Sequence, residues 1–285
     1  MKILITGGGG QLAQCFRKLE PQYPSYELIF KTSEELDITD KSEVEAVFEE
    51  EKPQYCINTA AYTAVDLAEK EAEKAFAVNR DGAQNLAEIC YEMKVCLIHI
   101  STDYVFDGDT ELSYTEDDFT APLGVYGASK LAGEEAVLEA APESIIIRTS
   151  WLYSEFNKNF VKTMLQLFAQ KEELGIVNDQ FGQPTNANDL AEAVMKIIAT
   201  EPKISGIYHF SNYPETTWFL FAEKIKAFSG AKIGLNPITT TEYPTPAQRP
   251  QRSTFCLDKI EQDYGVEIQH WENSLEDCIK ILNHD

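Results

Sequence analysis

The chain has 285 residues, in which 24 Lys plus Arg stand against 47 Asp plus Glu for a formal net charge of −23. A surface this acidic offers no basic face to a polyanion, so neither a nucleic-acid polymer nor an anionic membrane is expected as a partner; a single nucleotide held by local cations is compatible with it. With 44% hydrophobic residues the composition is that of a globular protein of roughly one to two domains and not of an acidic disordered tail.

Along the first half, short apolar runs alternate with helical patterns. Lys2–Thr6, Tyr26–Phe30, Tyr55–Asn58, Val95–Ser101 and Ser144–Thr149 read as strands of a parallel sheet, and Gln11–Leu19, Ser42–Glu51, Ala68–Met93 and Tyr126–Glu139 as helices between them. That alternation predicts an α/β fold, a Rossmann-type doubly wound parallel sheet spanning about residues 1–150. Eight of the twelve prolines follow residue 140, and helical stretches near 159–170, 187–200, 217–228 and 273–282 point to a smaller, mainly helical substrate lobe over 151–285. Strands near 174–177 and 207–210 are expected to extend the main sheet, which interleaves the two parts.

No apolar stretch at the start is long enough for a signal peptide, and no later run approaches the ~20 residues of a membrane span. The six cysteines lack a CxxC pair or a closely spaced His, so neither a disulfide framework nor a metal site is expected, and free thiols in a cytoplasmic enzyme are.

Thr6-Gly7-Gly8-Gly9-Gly10-Gln11-Leu12-Ala13 follows the first strand and opens a helix. Glycines there allow a sharp turn and a close approach to a pyrophosphate, whose charge then sits at the helix N-terminus. The second strand ends Leu28-Ile29-Phe30-Lys31-Thr32-Ser33 with no carboxylate to bind a ribose 2′-hydroxyl. Lys31 and the two hydroxyl residues fit a 2′-phosphate, hence NADPH, with NADH as the alternative and a solvated Lys31 as the bland reading.

Tyr126 and Lys130 share a face of the predicted helix, four residues apart. A cation beside a phenol favours its ionised form and suits proton transfer to a carbonyl oxygen during reduction. Thr102, 24 residues earlier in Ser101-Thr102-Asp103-Tyr104, lies at the carboxyl end of a predicted central strand, where open α/β sheets bind ligands. Asp103 there is either a ligand contact or a turn acid.

With TGGGGQLA (6–13), INTAAYTAVDLAE (57–69), ISTDYVFDG (100–108), PLGVYGASKLAGE (122–134), RTSWLY (148–153), NDQFGQPT (178–185) and YPTPAQRPQRS (243–253), the chain resembles the dTDP-4-dehydrorhamnose reductases among the extended short-chain dehydrogenases/reductases. The resemblance implies NAD(P)H-dependent reduction of the 4-keto group of dTDP-4-dehydro-β-L-rhamnose to dTDP-β-L-rhamnose, for cell-surface polysaccharide. It implies Thr102, Tyr126 and Lys130 as catalytic residues. Gly7, Gly10, Gln11, Leu12, Asp37, Ile38, Ala60, Ala61, Tyr62, Thr63 and Ser101 would line the cofactor, and Thr102, Asp103, Tyr104, Tyr126 and Trp151 the dTDP-sugar. Arg249 is the candidate for the substrate phosphates, with a salt bridge as its alternative.

Some members of the family form a magnesium-linked dimer through a glutamate after the glycine loop. The corresponding position here is Cys15, a poor ligand for a hard cation, so a monomer is expected and a homodimer is the alternative. The competing functions are another sugar-nucleotide epimerase or dehydratase of the same fold, and a non-catalytic regulatory subunit of the methionine adenosyltransferase type.

Overall fold

The computed structural model describes residues 1–284. Five runs in the first half form the strands β1 (Lys2–Thr6), β2 (Glu27–Lys31), β3 (Tyr55–Asn58), β4 (Cys96–Thr102) and β5 (Ile145–Thr149). They are short and rich in β-branched residues, and the central ones are buried on both faces, as parallel strands covered by helices must be. With β10 (Gly206–Phe210) they make a six-stranded parallel sheet in the order β10-β5-β4-β3-β1-β2.

Strand alternation divides the core into two layers. Ile3, Ile5, Ile57, Ile98, Ile145 and Ile147 face α1 (Gln11–Leu19) and α8 (Ala187–Ala199). Leu4, Cys56, Leu97 and Ile146 face α2 (Lys41–Glu51), α5 (Ala83–Met93) and α6 (Val125–Ala140). Successive side chains point to opposite faces of a strand, so one apolar run serves both layers.

From β1 the chain winds outward to β2 and then returns to the other side of β1 to form β3. That reversal opens a crevice above the carboxyl ends of β1 and β3, the place where such sheets take ligands.

The helix expected over 68–93 is broken. Val65–Ala68 (α3) and Ala72–Phe76 (α4) precede a π-helical turn over Ala77–Gly82, which runs into α5. The wide turn aims Asn79 inward: its amide accepts from the Tyr62 N–H at 2.8 Å and donates to the Tyr62 carbonyl at 3.1 Å and the Ser129 hydroxyl at 2.9 Å. Such turns are a local insertion in a helix, made worthwhile by what the displaced side chain does.

Beyond β5, a separate core gathers Tyr153, Val161, Phe168, Phe221, Trp271 and Leu275 between α7 (Phe160–Phe168), α9 (Trp218–Ser229) and α11 (Trp271–His284). The strand expected to extend the main sheet at 174–177 lies in this lobe instead. As β7 (Glu173–Val177) it pairs in parallel with β12 (Gly234–Ile238) in a two-stranded sheet, because Leu174 and Ile176 are drawn into the lobe's core. The two-residue strands are β6 (Leu152–Tyr153), β8 (Phe181–Gly182), β9 (Thr185–Asn186) and β11 (Thr216–Thr217), and α10 (Asp258–Tyr264) precedes α11. Among the described residues no helix is long and apolar enough to cross a membrane.

A buried ion pair bolts α6 to the sheet. The Arg148 guanidinium of β5 donates to the Glu134 carboxylate through Nε at 3.0 Å and through its terminal nitrogen at 2.7 Å, and each side chain is only 2% exposed. The Ser101 hydroxyl donates to the same carboxylate. Replacing Glu134 with Gln removes the counter-charge and strands a buried guanidinium. The expected loss in unfolding free energy is about 3–5 kcal/mol, read from urea titrations followed by circular dichroism.

Candidate active site

The crevice is a cleft of about 840 Å³. Its floor begins where β1 ends, because Gly7 turns with φ of +65° and a Cβ there would sit 2.8 Å from the Ala60 nitrogen. Only glycine takes both the left-handed backbone and that approach without strain. The Gly10 N–H closes the turn on the Gly7 carbonyl at 2.7 Å, and α1 then starts with no side chain capping its first amides. Those free N–H groups, together with the positive end of the helix, form a cradle for a diphosphate. The residues present fit a dinucleotide.

The cleft continues along the loop after β3, where Ala60, Ala61, Tyr62 and Thr63 line it. Asn79 in the π-turn fixes this loop against α6 through the bonds to Tyr62 and Ser129. Asp37 and Ile38 line the opposite end, which suits an adenine.

At the other end Ser101, Thr102, Tyr126 and Lys130 converge on the cleft. Thr102 closes β4, and its hydroxyl lies 3.1 Å from the Asp103 carboxylate. Tyr126 stands in the first turn of α6, partly open to the cleft, with its ring edge against Tyr104 at 5.5 Å between centroids. Burial pushes its phenol up to about 12, the Thr102 hydroxyl works the other way, and Asp103 adds to the rise. The phenol is therefore protonated at neutral pH.

Lys130, one turn on, is 2% exposed and donates to the Ile100 carbonyl at 2.6 Å. Burial lowers its amine to about 8, against the charge of Glu134, which raises it. Asp103 is also buried. It accepts from the Ser253 hydroxyl at 2.6 Å and is pushed up to about 6 by burial, against the hydrogen bonds from Ser253 and Thr102.

The arrangement can hold a dinucleotide at one end and present a protonated phenol, a hydroxyl and a cation at the other. Three comparisons with known proteins agree with that chemistry. The family model described as "RmlD substrate binding domain" matches residues 1–284. The dTDP-4-dehydrorhamnose reductase of Aggregatibacter actinomycetemcomitans is 43% identical, over 96% of this chain and 97% of that protein. The dTDP-4-dehydrorhamnose reductase of Bacillus anthracis, solved in complex with NADP, is 40% identical with a TM-score of 0.94, covering 98% of this chain and 99% of that one.

The chain belongs to the dTDP-4-dehydrorhamnose reductase family. It is an NAD(P)H-dependent oxidoreductase of that family.

Of the candidate site residues, all but two line the family cleft. Lys31 does not: its ammonium pairs with Glu51 of α2 at 2.9 Å, because alternation along β2 turns it toward α2 while Thr32 and Ser33 reach the cleft. Arg249 does not either. Its guanidinium forks onto both Asp66 oxygens at 3.0 and 2.9 Å, so the salt bridge holds and the free phosphate ligand does not. Cys15 is fully buried, and its thiol is pushed up to about 12 by burial first and the Glu155 carboxylate second. Among the described residues no group of three or more His, Cys, Asp or Glu side chains could hold a metal ion.

Sequence reasoning missed a strap from the lobe. Asn157 donates to the Gly9 carbonyl at 2.9 Å and Asn159 to the Gln11 side chain at 2.7 Å, and Lys158 between them lines the cleft. Nothing in the run Phe-Asn-Lys-Asn marks it as more than a surface loop.

Trp151, at the cleft edge, is held at φ of +46°, a region that is strained for a bulky residue. Its indole stacks on Trp218 at 3.5 Å between centroids and 10° between planes. Gly182 of β8 makes the room: a Cβ there would meet the indole at 2.6 Å. Replacing Gly182 with Ala is expected to push the rings apart and cost about 1–3 kcal/mol of stability. Loss of the stacked-indole signal in near-ultraviolet circular dichroism reads the displacement, and an unchanged spectrum would contradict this packing.

Proposed function

We propose that this chain reduces the 4-keto group of dTDP-4-dehydro-β-L-rhamnose to give dTDP-β-L-rhamnose, with NADPH as the reductant. The observation that carries the reading is the placement of Thr102, Tyr126 and Lys130 in the same cleft as the uncapped glycine loop, with the phenol in its protonated form. The substrate is inferred from the names of the relatives that match along nearly the whole chain.

NADPH is favoured by the end of β2. Thr32 and Ser33 face the cleft there, Glu34 does not line it, and Glu35 is folded back to accept from the Thr32 N–H and hydroxyl, both at 2.8 Å. A 2′-phosphate at the end of β2 meets these two hydroxyls. The related structure from Bacillus anthracis carries NADP.

When bound, the reduced nicotinamide supplies a hydride to the carbonyl carbon. Tyr126 gives its proton to the carbonyl oxygen, and the Thr102 hydroxyl, turning from Asp103, orients that oxygen by donating a hydrogen bond to it. The Lys130 ammonium favours the phenolate that Tyr126 leaves behind. Lys130, Thr102 and Asp103 are buried around this end of the cleft, where such electrostatic help is strongest.

Loss of NADPH absorbance on adding the 4-keto sugar nucleotide tests the reading, with NADH run in parallel. Net oxidation is expected; product formed without net oxidation would point to an epimerase. Tyr126→Phe is expected to lower kcat about 10²–10⁴-fold, and a near wild-type rate would remove Tyr126 from its role. Because Lys130 loses its charge as pH rises through about 8, kcat/KM is expected to fall on an alkaline limb centred there. A profile flat to about pH 10, the ordinary lysine value, would contradict the role given to its charge.

A further inference from the structure

Beneath Lys130 lies His99, in the middle of β4 and 1% exposed. Its Nε2 is 3.4 Å from the Lys130 nitrogen and its Nδ1 is 3.0 Å from the Asn58 side-chain nitrogen. Neither the glycine loop nor the Thr102–Tyr126–Lys130 set gives this imidazole a task. A neutral imidazole carries one proton, so which ring nitrogen holds it determines what Lys130 meets.

The neighbours on β3 and β1 settle that. The Ala60 backbone N–H, which can only donate, points at one atom of the Asn58 amide at 3.2 Å, and the Thr6 hydroxyl donates to the same atom at 2.7 Å. That atom is therefore the oxygen, and the amide NH₂ faces His99. Nδ1 must accept from it, which places the ring's proton on Nε2, directed at Lys130.

We propose that Asn58 locks His99 in the Nε2–H tautomer, so that the imidazole presents a donor and not a lone pair to the Lys130 nitrogen and keeps that amine able to give up a proton. His99 is thus a positioning residue that acts through Lys130. The inference rests on the reductase reading only in giving the Lys130 charge a part in the reaction, since this contact helps set the pH at which that charge is lost. A neutral Lys130 accepts from Nε2–H while still donating to the Ile100 carbonyl; an ammonium has no lone pair to offer. Burial with the Lys130 charge keeps His99 itself neutral.

The other charged groups nearby do not do this. Glu134, on the next turn of α6, favours the ammonium, and its carboxylate is engaged by Arg148 from β5. Asp103, at the end of β4, acts on Tyr126. With Glu134 pulling toward the charged form, the imidazole N–H is the one polar contact here that favours the neutral amine.

The full-length protein, labelled with ¹⁵N at histidine and ¹³Cε at lysine, provides two readouts that need no turnover. Two-bond ¹H–¹⁵N spectra distinguish the tautomers of the four histidines, with His99 assigned by the signal lost in His99→Leu. A neutral Nε2–H ring is expected across about pH 6–9; an Nδ1–H ring, or a doubly protonated one in that range, overturns the proposal. The Lys130 signal is identified by its loss in Lys130→Met and titrated in both wild type and His99→Leu. Removing the donor is expected to raise the Lys130 midpoint by about 0.5–1 pH unit, and to carry the alkaline limb of kcat/KM upward with it. An unmoved or lowered midpoint overturns the proposal, since a lone pair on Nε2 would have the opposite effect. Should His99→Leu not fold, the wild-type tautomer decides, with His99 then assigned by elimination against single replacements of the other three histidines. A protein inactive on the sugar nucleotide would refute the reductase reading and leave both spectroscopic results standing.

Discussion

An amine that is 2% exposed in the middle of an α/β protein is the constraint around which this molecule is arranged. Removing a charge from water is costly unless partners replace its hydration. Lys130 has one anchored acceptor, the Ile100 carbonyl, and one carboxylate a turn away, Glu134. That carboxylate in turn needs Arg148 and Ser101 to satisfy it. The chain of requirements runs from the cleft through α6 into β4 and β5, so catalytic geometry and sheet packing are one problem with one solution.

The same economy holds on the cofactor side. The reversal of strand order between β1 and β3 opens the crevice, but an open crevice does not by itself place a loop. The π-turn does that by aiming Asn79 at both polar backbone groups of Tyr62 and at Ser129 of α6. From the lobe, Asn157 and Asn159 hold the glycine loop and its first helical residue. Two walls of the cleft, the Tyr62 loop and the glycine loop, are thus each held before any ligand arrives, which lowers the ordering cost of binding.

The sequence made much of this legible, for identifiable reasons. KILIT followed by four glycines and an amphipathic run states a strand, a turn and a helix in local terms, and Tyr126 with Lys130 states a shared helix face. Partners distant in the chain were not legible. Lys31 looked like a phosphate ligand because only the folded chain brings Glu51 beside it, and Arg249 meets Asp66 across 183 residues. The run 174–177 reads as an extension of the sheet because an apolar run does not name its neighbour; its core is supplied by α7 and α9. The break in the helix over 68–93 left no mark, since AVNRDG carries no proline and its wide turn is enforced by Asn79's tertiary bonds. His99 sat inside a strand motif and looked like any buried residue until Asn58 and Lys130 bracketed it.

The placement of β10 carries a consequence for the order in which the molecule can be made. Residues 206–210 pair with β5 at residues 145–149, and between them lie β6, α7, β7, β8, β9 and α8. On a ribosome, where the amino-terminal part emerges first, β5 waits with one side unpaired while some sixty residues are added. It is an Ile-Ile-Ile run, the kind of exposed strand edge that invites pairing with another chain. Arg148 in that run fixes β5 to α6 through Glu134 across the sheet face, while the backbone groups of the β5 edge stay open until residues 206–210 arrive to pair with them.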